Sequence, residues 1–191
     1  DMPADMRESF LSMAVEESDR MTRIVGDLLV LSRLDNNRTK WEISEFSMEA
    51  VIRHLCEVVK NDIAEHRHTL SVKLDDHLPA ITADKDRIEQ VLLNILTNAI
   101  KYTPDGGKIL VRAVSNHSHA AISVRDNGIG IPKEDQPHLF ERFYRVEKSR
   151  TTGAGGTGLG LAIAKESAEL IGADISVQSV PTEFTEFTIE F

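Results

Sequence analysis

The stretch from Thr151 to Glu166, TTGAGGTGLGLAIAKE, places five glycines in ten residues and then runs straight into a helix-forming segment. Such a stretch cannot be the interior of a strand or helix, because glycine there loses the most backbone entropy and packs nothing. It has to be a loop that delivers the chain to a helix N-terminus, where unpaired N–H groups and the helix dipole favour an anion. Two familiar anion loops are excluded. Gly153-Ala154-Gly155-Gly156-Thr157-Gly158 has the G-x-G-x-x-G spacing of dinucleotide sites, but that loop follows a strand, and here RVEKSRTT precedes it. No Lys-Ser or Lys-Thr follows the last glycine, so the phosphate loop of the common nucleoside triphosphatases is absent too. On this stretch alone, a plain flexible surface loop and an anion site weigh about equally.

The chain divides into two zones on pattern. From Met6 to Leu34 the only glycine is Gly26 and there is no proline, while Phe10, Ala14, Met21, Ile24, Leu28 and Leu31 recur at steps of three and four. One long helix is expected, and Val25 and Leu29 widen its stripe to the width of a bundle helix. Glu17 in that stripe reads as a solvated or paired glutamate. DNNRTK, from Asp35 to Lys40, ends the helix with turn formers. The division expected is 1–37 for the bundle segment, 38–43 for a linker and 44–191 for the main domain.

In the second zone, Ser47 to Glu65 reads as one helix capped by Ser47, followed by strands TLSVKL and AITAD. Lys85 to Tyr102 is strongly helical and stops at Thr103-Pro104-Asp105-Gly106-Gly107. KILVRAV and AAISVRD read as a hairpin, Leu159 to Ile171 as a helix ended by Gly172, and DISVQSV and EFTIEF as closing strands. Hairpins among helices predict an α/β (α+β) sandwich with a mostly antiparallel, mixed sheet and helices on one face, preceded by one long bundle helix.

Bulk properties narrow the function. The 191 residues suffice for one sizeable core and an appendage. A net charge of −9 and a pI near 5.3 argue against nucleic acid as a partner. The single cysteine, Cys56, cannot form an internal disulfide, so a reducing compartment and an inert thiol are expected. No apolar run is long enough to cross a membrane and no secretory leader is recognisable. The opening DMPADM reads as a fragment of something longer.

Three further stretches carry chemistry. DNGIGIP, from Asp126 to Pro132, leaves a strand as a glycine turn that lets backbone approach a flat ligand, with the Asp126 carboxylate able to accept from an exocyclic amine. In QVLLNILTNAIKYT, Asn94, Asn98 and Lys101 fall on one helix face, away from Val91, Ile95 and Ala99. LFERFYR places Phe140 and Phe143 three apart, the spacing of a small hydrophobic anchor. Singly, each has an ordinary reading as a turn, a solvated face or a packing contact.

In this order the four stretches resemble the boxes of the ATP-binding domain of bacterial sensor histidine kinases. That domain belongs to a superfamily shared with gyrase, the MutL repair ATPase and the Hsp90 chaperone. The asparagine helix is similar to its N box, DNGIGI to its G1 box, the phenylalanine pair to its F box and GTGLGL to its G2 box. The likeness runs from about Ser44 to the end. RMTRIVGDLLVLSRLD resembles the second helix of the dimerisation and histidine-phosphotransfer bundle, and overall the chain most resembles the WalK/VicK type of cell-wall-regulating kinases.

The resemblance implies a Bergerat-type ATP-binding fold, with ATP and Mg²⁺ bound. Asp126 would accept from the adenine amino group, Asn98 would ligate Mg²⁺, and Asn94 would support that site. Lys101 would face the phosphates and Tyr102 flank the base. Arg145 and the G2 segment would hold the γ-phosphate. The catalytic set implied is Asn94, Lys101 and Arg145; the wider nucleotide set adds Asn98, Tyr102, Asp126, Gly128, Gly130, Gly156, Thr157, Gly158, Leu159 and Gly160. The loop from about Val146 to Thr157 would be a lid, in which Lys148 and Arg150 weigh equally as phosphate contacts and as solvated cations. Also implied are a homodimer, a response-regulator receiver domain as partner, and a cytoplasmic location with membrane attachment through segments outside this chain. The alternatives are an ATPase of the same superfamily and an inactive ATP-binding or interaction module.

Two departures accompany the likeness. None of the seven histidines (His54, His66, His68, His77, His117, His119 and His138) sits in the family's phosphoaccepting context, so the acceptor is expected elsewhere. PTEFTEFTIEF has no glycine before the final strand, so the closing turn is expected to differ. His66 and His68 read as surface residues.

Overall fold

The computed structural model describes residues 3–35, 42–76, 78–116, 119–146 and 156–191. The linker stretch 36–41, His77, His117 and the stretch 147–155, which carries most of the expected lid with Lys148 and Arg150, lie outside the described residues.

Helix α1 (Ala4–Asp35) is followed by β1 (Ile43–Ser47), α2 (Met48–Val58), α3 (Lys60–Glu65), β2 (Thr69–Leu74), β3 (Ala80–Asp84) and α4 (Lys85–Tyr102). Then come β4 (Lys108–Asn116), β5 (His119–Asp126), a 3-10 turn at Gln136–His138, α5 (Gly160–Leu170), β6 (Asp174–Val180) and β7 (Phe184–Glu190). Five strands form one mixed sheet in the order β2-β4-β5-β7-β6, and β1 pairs with β3 in a separate two-stranded sheet. Only β2 and β4 run parallel in the large sheet; its other pairs are antiparallel.

Register explains the single buried face. Val111, Val124, Phe187 and Val177 lie side by side across four strands, and Ala113, Ile122, Ile189 and Ile175 form the next such row. The strand period of two puts both rows on the same side, while Arg112 and Arg125 point outward and are exposed. Onto this face pack α2 through Val51, Ile52 and Leu55, α4 through Ile88, Val91, Leu92, Ile95 and Leu96, and α5 through Ala164 and Ala168. Asp84 caps α4 by accepting from the Arg87 N–H at 3.3 Å, and Ser47 caps α2 through the Ala50 N–H. Truncating a fully buried side chain of this core, such as Ile95, should cost about 2–5 kcal/mol.

Three local features differ from the expectations. The helix expected over 47–65 is interrupted at Val59, which turns inward and is buried while Val58 is exposed. The strand β1 had no counterpart in the sequence reading: ISEFS pairs with β3 and has little periodicity to betray it. His68 is buried, not on the surface; its Nε2 donates to the Ile100 carbonyl at 3.1 Å and its ring stacks on His66. His66 itself is half-buried and faces Asp105 at 3.1 Å. The turn before β7 lacks glycine but still takes a left-handed residue, Thr182 at φ 67°, whose N–H bonds the Ile129 carbonyl at 2.8 Å.

Helix α1 packs against α5 at its C-terminal end, where Leu31 and Leu34 are buried with Leu159 and Ile163. Upstream, Phe10, Met21, Val25, Leu28 and Leu29 are exposed. Glu17 pairs with Arg20 one turn away at 3.3 Å, so its place in the stripe costs no buried charge.

Candidate functional site

Helix α4 buries its apolar face in the core and turns Asn94, Asn98 and Lys101, each half-buried, toward the start of α5. The Asn94 side-chain nitrogen donates to the Gly160 carbonyl at 3.0 Å, fixing the α5 start against α4. β5 ends at Asp126, and the following loop folds back so that the Ile129 N–H reaches the Tyr102 carbonyl at 3.2 Å. Gly130, at φ 66°, presses on the Val180 and Pro181 backbone so closely that a side chain has no room. Gly158, at φ 73°, is equally constrained by the Phe143 backbone, and the Phe143 N–H donates to its carbonyl at 2.8 Å. These contacts enclose a cleft of about 400 Å³, within the size range of small-molecule sites.

The polar groups of the cleft fall into two sets. The first is Asp126, only 5% exposed, which accepts from the Gly128 N–H at 2.8 Å. Burial pushes its carboxyl up to about 6, against the lowering effect of the Gly128 N–H and the Thr103 hydroxyl. Apolar Ile131, Leu139 and Phe187 share the walls, giving a flat ligand both an apolar surface and one strong acceptor. The second set is cationic. Lys101 is lowered to about 8 by burial, then by Arg145 and by Arg23. Its Nζ lies 5.0 Å from the Tyr102 ring centre and next to Gly156. Around it stand Arg145, Gly156, Thr157, Gly158 and the N-terminus of α5, an arrangement suited to a multiply charged anion.

Of the residues singled out from the sequence, Asn94, Asn98, Lys101, Tyr102, Asp126, Gly130, Arg145, Gly156, Thr157, Gly158 and Gly160 line this one cleft. Gly128 and Leu159 do not. Gly128 acts from behind, through its N–H to Asp126. The Leu159 side chain is fully buried against α1, and its N–H is taken by the Thr157 hydroxyl at 3.2 Å. The phenylalanine pair also divides: Phe140 packs edge-on against Phe187 at 6.3 Å, whereas Phe143, at φ 66°, is 58% exposed and anchors nothing in the core. The turn that carries them is tied to α5 by Arg142 and Glu166 at 2.8 Å.

Among the lining residues outside the four boxes are Arg23 and Asp27 of α1. Asp27 accepts from the Thr157 hydroxyl at 2.8 Å. No local pattern could have revealed them, since which helical residue meets a distant loop depends on how α1 docks.

Residues 83–191 match the profile of a family described as histidine kinase-, DNA gyrase B-, and HSP90-like ATPase. The chain belongs to this family. Among curated relatives it is 39% identical over 190 residues to the sensor histidine kinase WalK of Bacillus subtilis (strain 168), covering 96% of this chain and 30% of WalK. It is 34% identical over 189 residues to the signal transduction histidine-protein kinase ArlS of Staphylococcus haemolyticus (strain JCSC1435), covering 99% of this chain and 41% of ArlS. Among solved structures, full-length ShkA in complex with AMPPNP superposes over 100% of this chain and 39% of its own, with a TM-score of 0.82 and 27% identity. The chain therefore spans 30% and 41% of the length of these two curated relatives. Among the described residues no helix is long and apolar enough to cross a membrane. The chain's fold is the α/β sandwich of histidine-kinase catalytic domains.

Proposed function

We propose that this chain is the ATP-binding catalytic part of a sensor histidine kinase, joined through residues 38–43 to one helix of its dimerisation bundle. The observation that carries the proposal is the pairing, in one cleft, of a buried carboxylate with a separate cationic set at a helix N-terminus. Adenine presents an exocyclic amine to Asp126, and the apolar walls cover its faces. Tyr102 lies between this base site and Lys101. The triphosphate lies among Lys101, Arg145, the Gly156–Gly158 backbone and the first N–H groups of α5. Asn94 is a positioning residue, because its amide nitrogen is committed to Gly160.

The donor set also fits Mg²⁺. Among the described residues no group of three His, Cys, Asp or Glu side chains could hold a metal. The cleft offers amide oxygen from Asn98 instead, and a magnesium ion characteristically takes one or two protein oxygens, waters and a ligand's phosphates. When bound, the ion would neutralise phosphate charge. Lys101 and Arg145 keep the terminal phosphate oriented and offset charge that develops as it leaves.

In the intact protein the γ-phosphoryl group passes to a histidine nitrogen on a segment outside this chain, then to an aspartate of a response-regulator receiver domain. The protein works as a homodimer whose membrane attachment lies in other segments, with this part in the cytoplasm. The exposed stripe of α1 supports a bundle partner. The test compares this chain with a longer form carrying the preceding helix, both given radiolabelled ATP. Acid-labile, alkali-stable label on the longer form and none on the shorter is the expected result. Phosphate release with no label on the longer form overturns the kinase reading in favour of a simple ATPase, and label on the shorter form overturns the placing of the acceptor histidine on another segment.

A further inference from the structure

We propose that Arg23 and Asp27 of α1 set the discrimination between adenosine triphosphate and adenosine diphosphate at this cleft. The inference rests on adenine-nucleotide binding there and adds two residues from outside the motif set. Arg23, Asp27, Leu31 and Leu34 lie at steps of four, four and three, so they share one face of α1. Leu31 and Leu34 clamp that face onto Leu159 and Ile163. The same face therefore continues over the cleft, and both charged residues line it.

Their roles are opposite. The Thr157 hydroxyl gives its only proton to Asp27 at 2.8 Å and accepts the Leu159 N–H at 3.2 Å. A phosphate oxygen seated at this loop competes with Asp27 for that proton and meets its negative charge. Arg23, one turn earlier, is close enough to help depress Lys101, after burial and Arg145. A further phosphate group would thus be attracted by Arg23 and repelled by Asp27. A diphosphate, one charged group shorter, gains and loses less from either. Because α1 is the bundle helix, the terminal phosphate would be read by the element that leads toward the dimerisation segment.

The experiment is titration calorimetry of Mg-ATP and Mg-ADP against this chain and three variants, each first checked for an unchanged melting transition. Arg23→Gln should weaken ATP about tenfold and ADP less than about threefold, the loss typical of one charge-assisted hydrogen bond. Arg23→Lys should recover part of the ATP affinity. Asp27→Asn keeps an oxygen for Thr157 but removes the charge, and should tighten ATP about threefold while leaving ADP unchanged. If all proteins bind both nucleotides with the same ATP-to-ADP ratio, Arg23 and Asp27 only hold the helix in place and the inference fails. If the unsubstituted chain binds neither nucleotide, the nucleotide reading itself fails.

Discussion

Asn94 and Gly160 are 66 residues apart, yet the Asn94 amide nitrogen donates to the Gly160 carbonyl at 3.0 Å. The bond sets where α5 begins. Asn94→Asp replaces the donor by a second acceptor, so two oxygens oppose each other. Stability should fall by about 1–3 kcal/mol, the cost of stranding a partly buried acceptor, and nucleotide affinity should fall with it. Denaturant melts with and without ATP check both; an unchanged midpoint would show that the bond is incidental.

Asp126 carries a clear pH signature. Its folded value, about 6, lies above its ordinary 3.8, so the folded chain holds that proton more tightly than the unfolded chain does. The stability it contributes is complete below pH 4 and is lost as pH rises through 6, by an amount on the order of 3 kcal/mol. Asp126→Asn should flatten this loss in melts taken from pH 4 to 8 without nucleotide. The same variant should bind adenine nucleotides about tenfold more weakly, since one acceptor becomes a donor. In the unsubstituted chain, affinity should decline below pH 6 as the carboxyl protonates.

Lys101 predicts proton uptake. Its folded value of about 8 lies below the ordinary 10.5, chiefly through burial, so at pH 8 a large share of the free protein carries it neutral. Phosphates beside it favour the charged form. Binding of Mg-ATP at pH 8 should therefore take up a fraction of a proton, measured by calorimetry in buffers of differing ionisation enthalpy. Lys101→Met should abolish the uptake and weaken ATP about tenfold. Uptake that persists in the variant would place the titrating group elsewhere.

Asn98 is the metal prediction. Asn98→Ala removes the amide oxygen that the helix face offers to Mg²⁺. The gain in ATP affinity on adding magnesium, compared with a chelator, should shrink at least about fivefold, with ATP binding in the chelator unchanged. An unaltered magnesium gain would remove Asn98 from the ion's coordination.

Local order was legible because it is set locally. The 3.6-residue period from Lys85 to Tyr102 gave the span of α4, and it put Asn94, Asn98 and Lys101 on the face away from the core. The strand period of two gave β4 and β5, and the order of the four boxes gave the family. Where local signals were weak or mixed, the reading was incomplete. ISEFS has five residues and only one partly buried side chain, so its strand exists by pairing with β3 and not by its own pattern. Phe140 and Phe143 look equivalent at three-residue spacing, but a left-handed backbone at Phe143 turns it out to solvent.

What the sequence by itself determined is the helices and strands with a strong period, such as α4, β4 and β5, and which side chains they present, because those periods and caps act over a few residues. What only the tertiary structure decided is the company those side chains keep. Packing of α1 on α5 brought Asp27 to Thr157, 130 residues away, and burial beneath the loop after β5 raised Asp126. Both depend on hydrophobic area closed between distant elements, a non-directional force that fixes proximity without leaving a local mark in the chain.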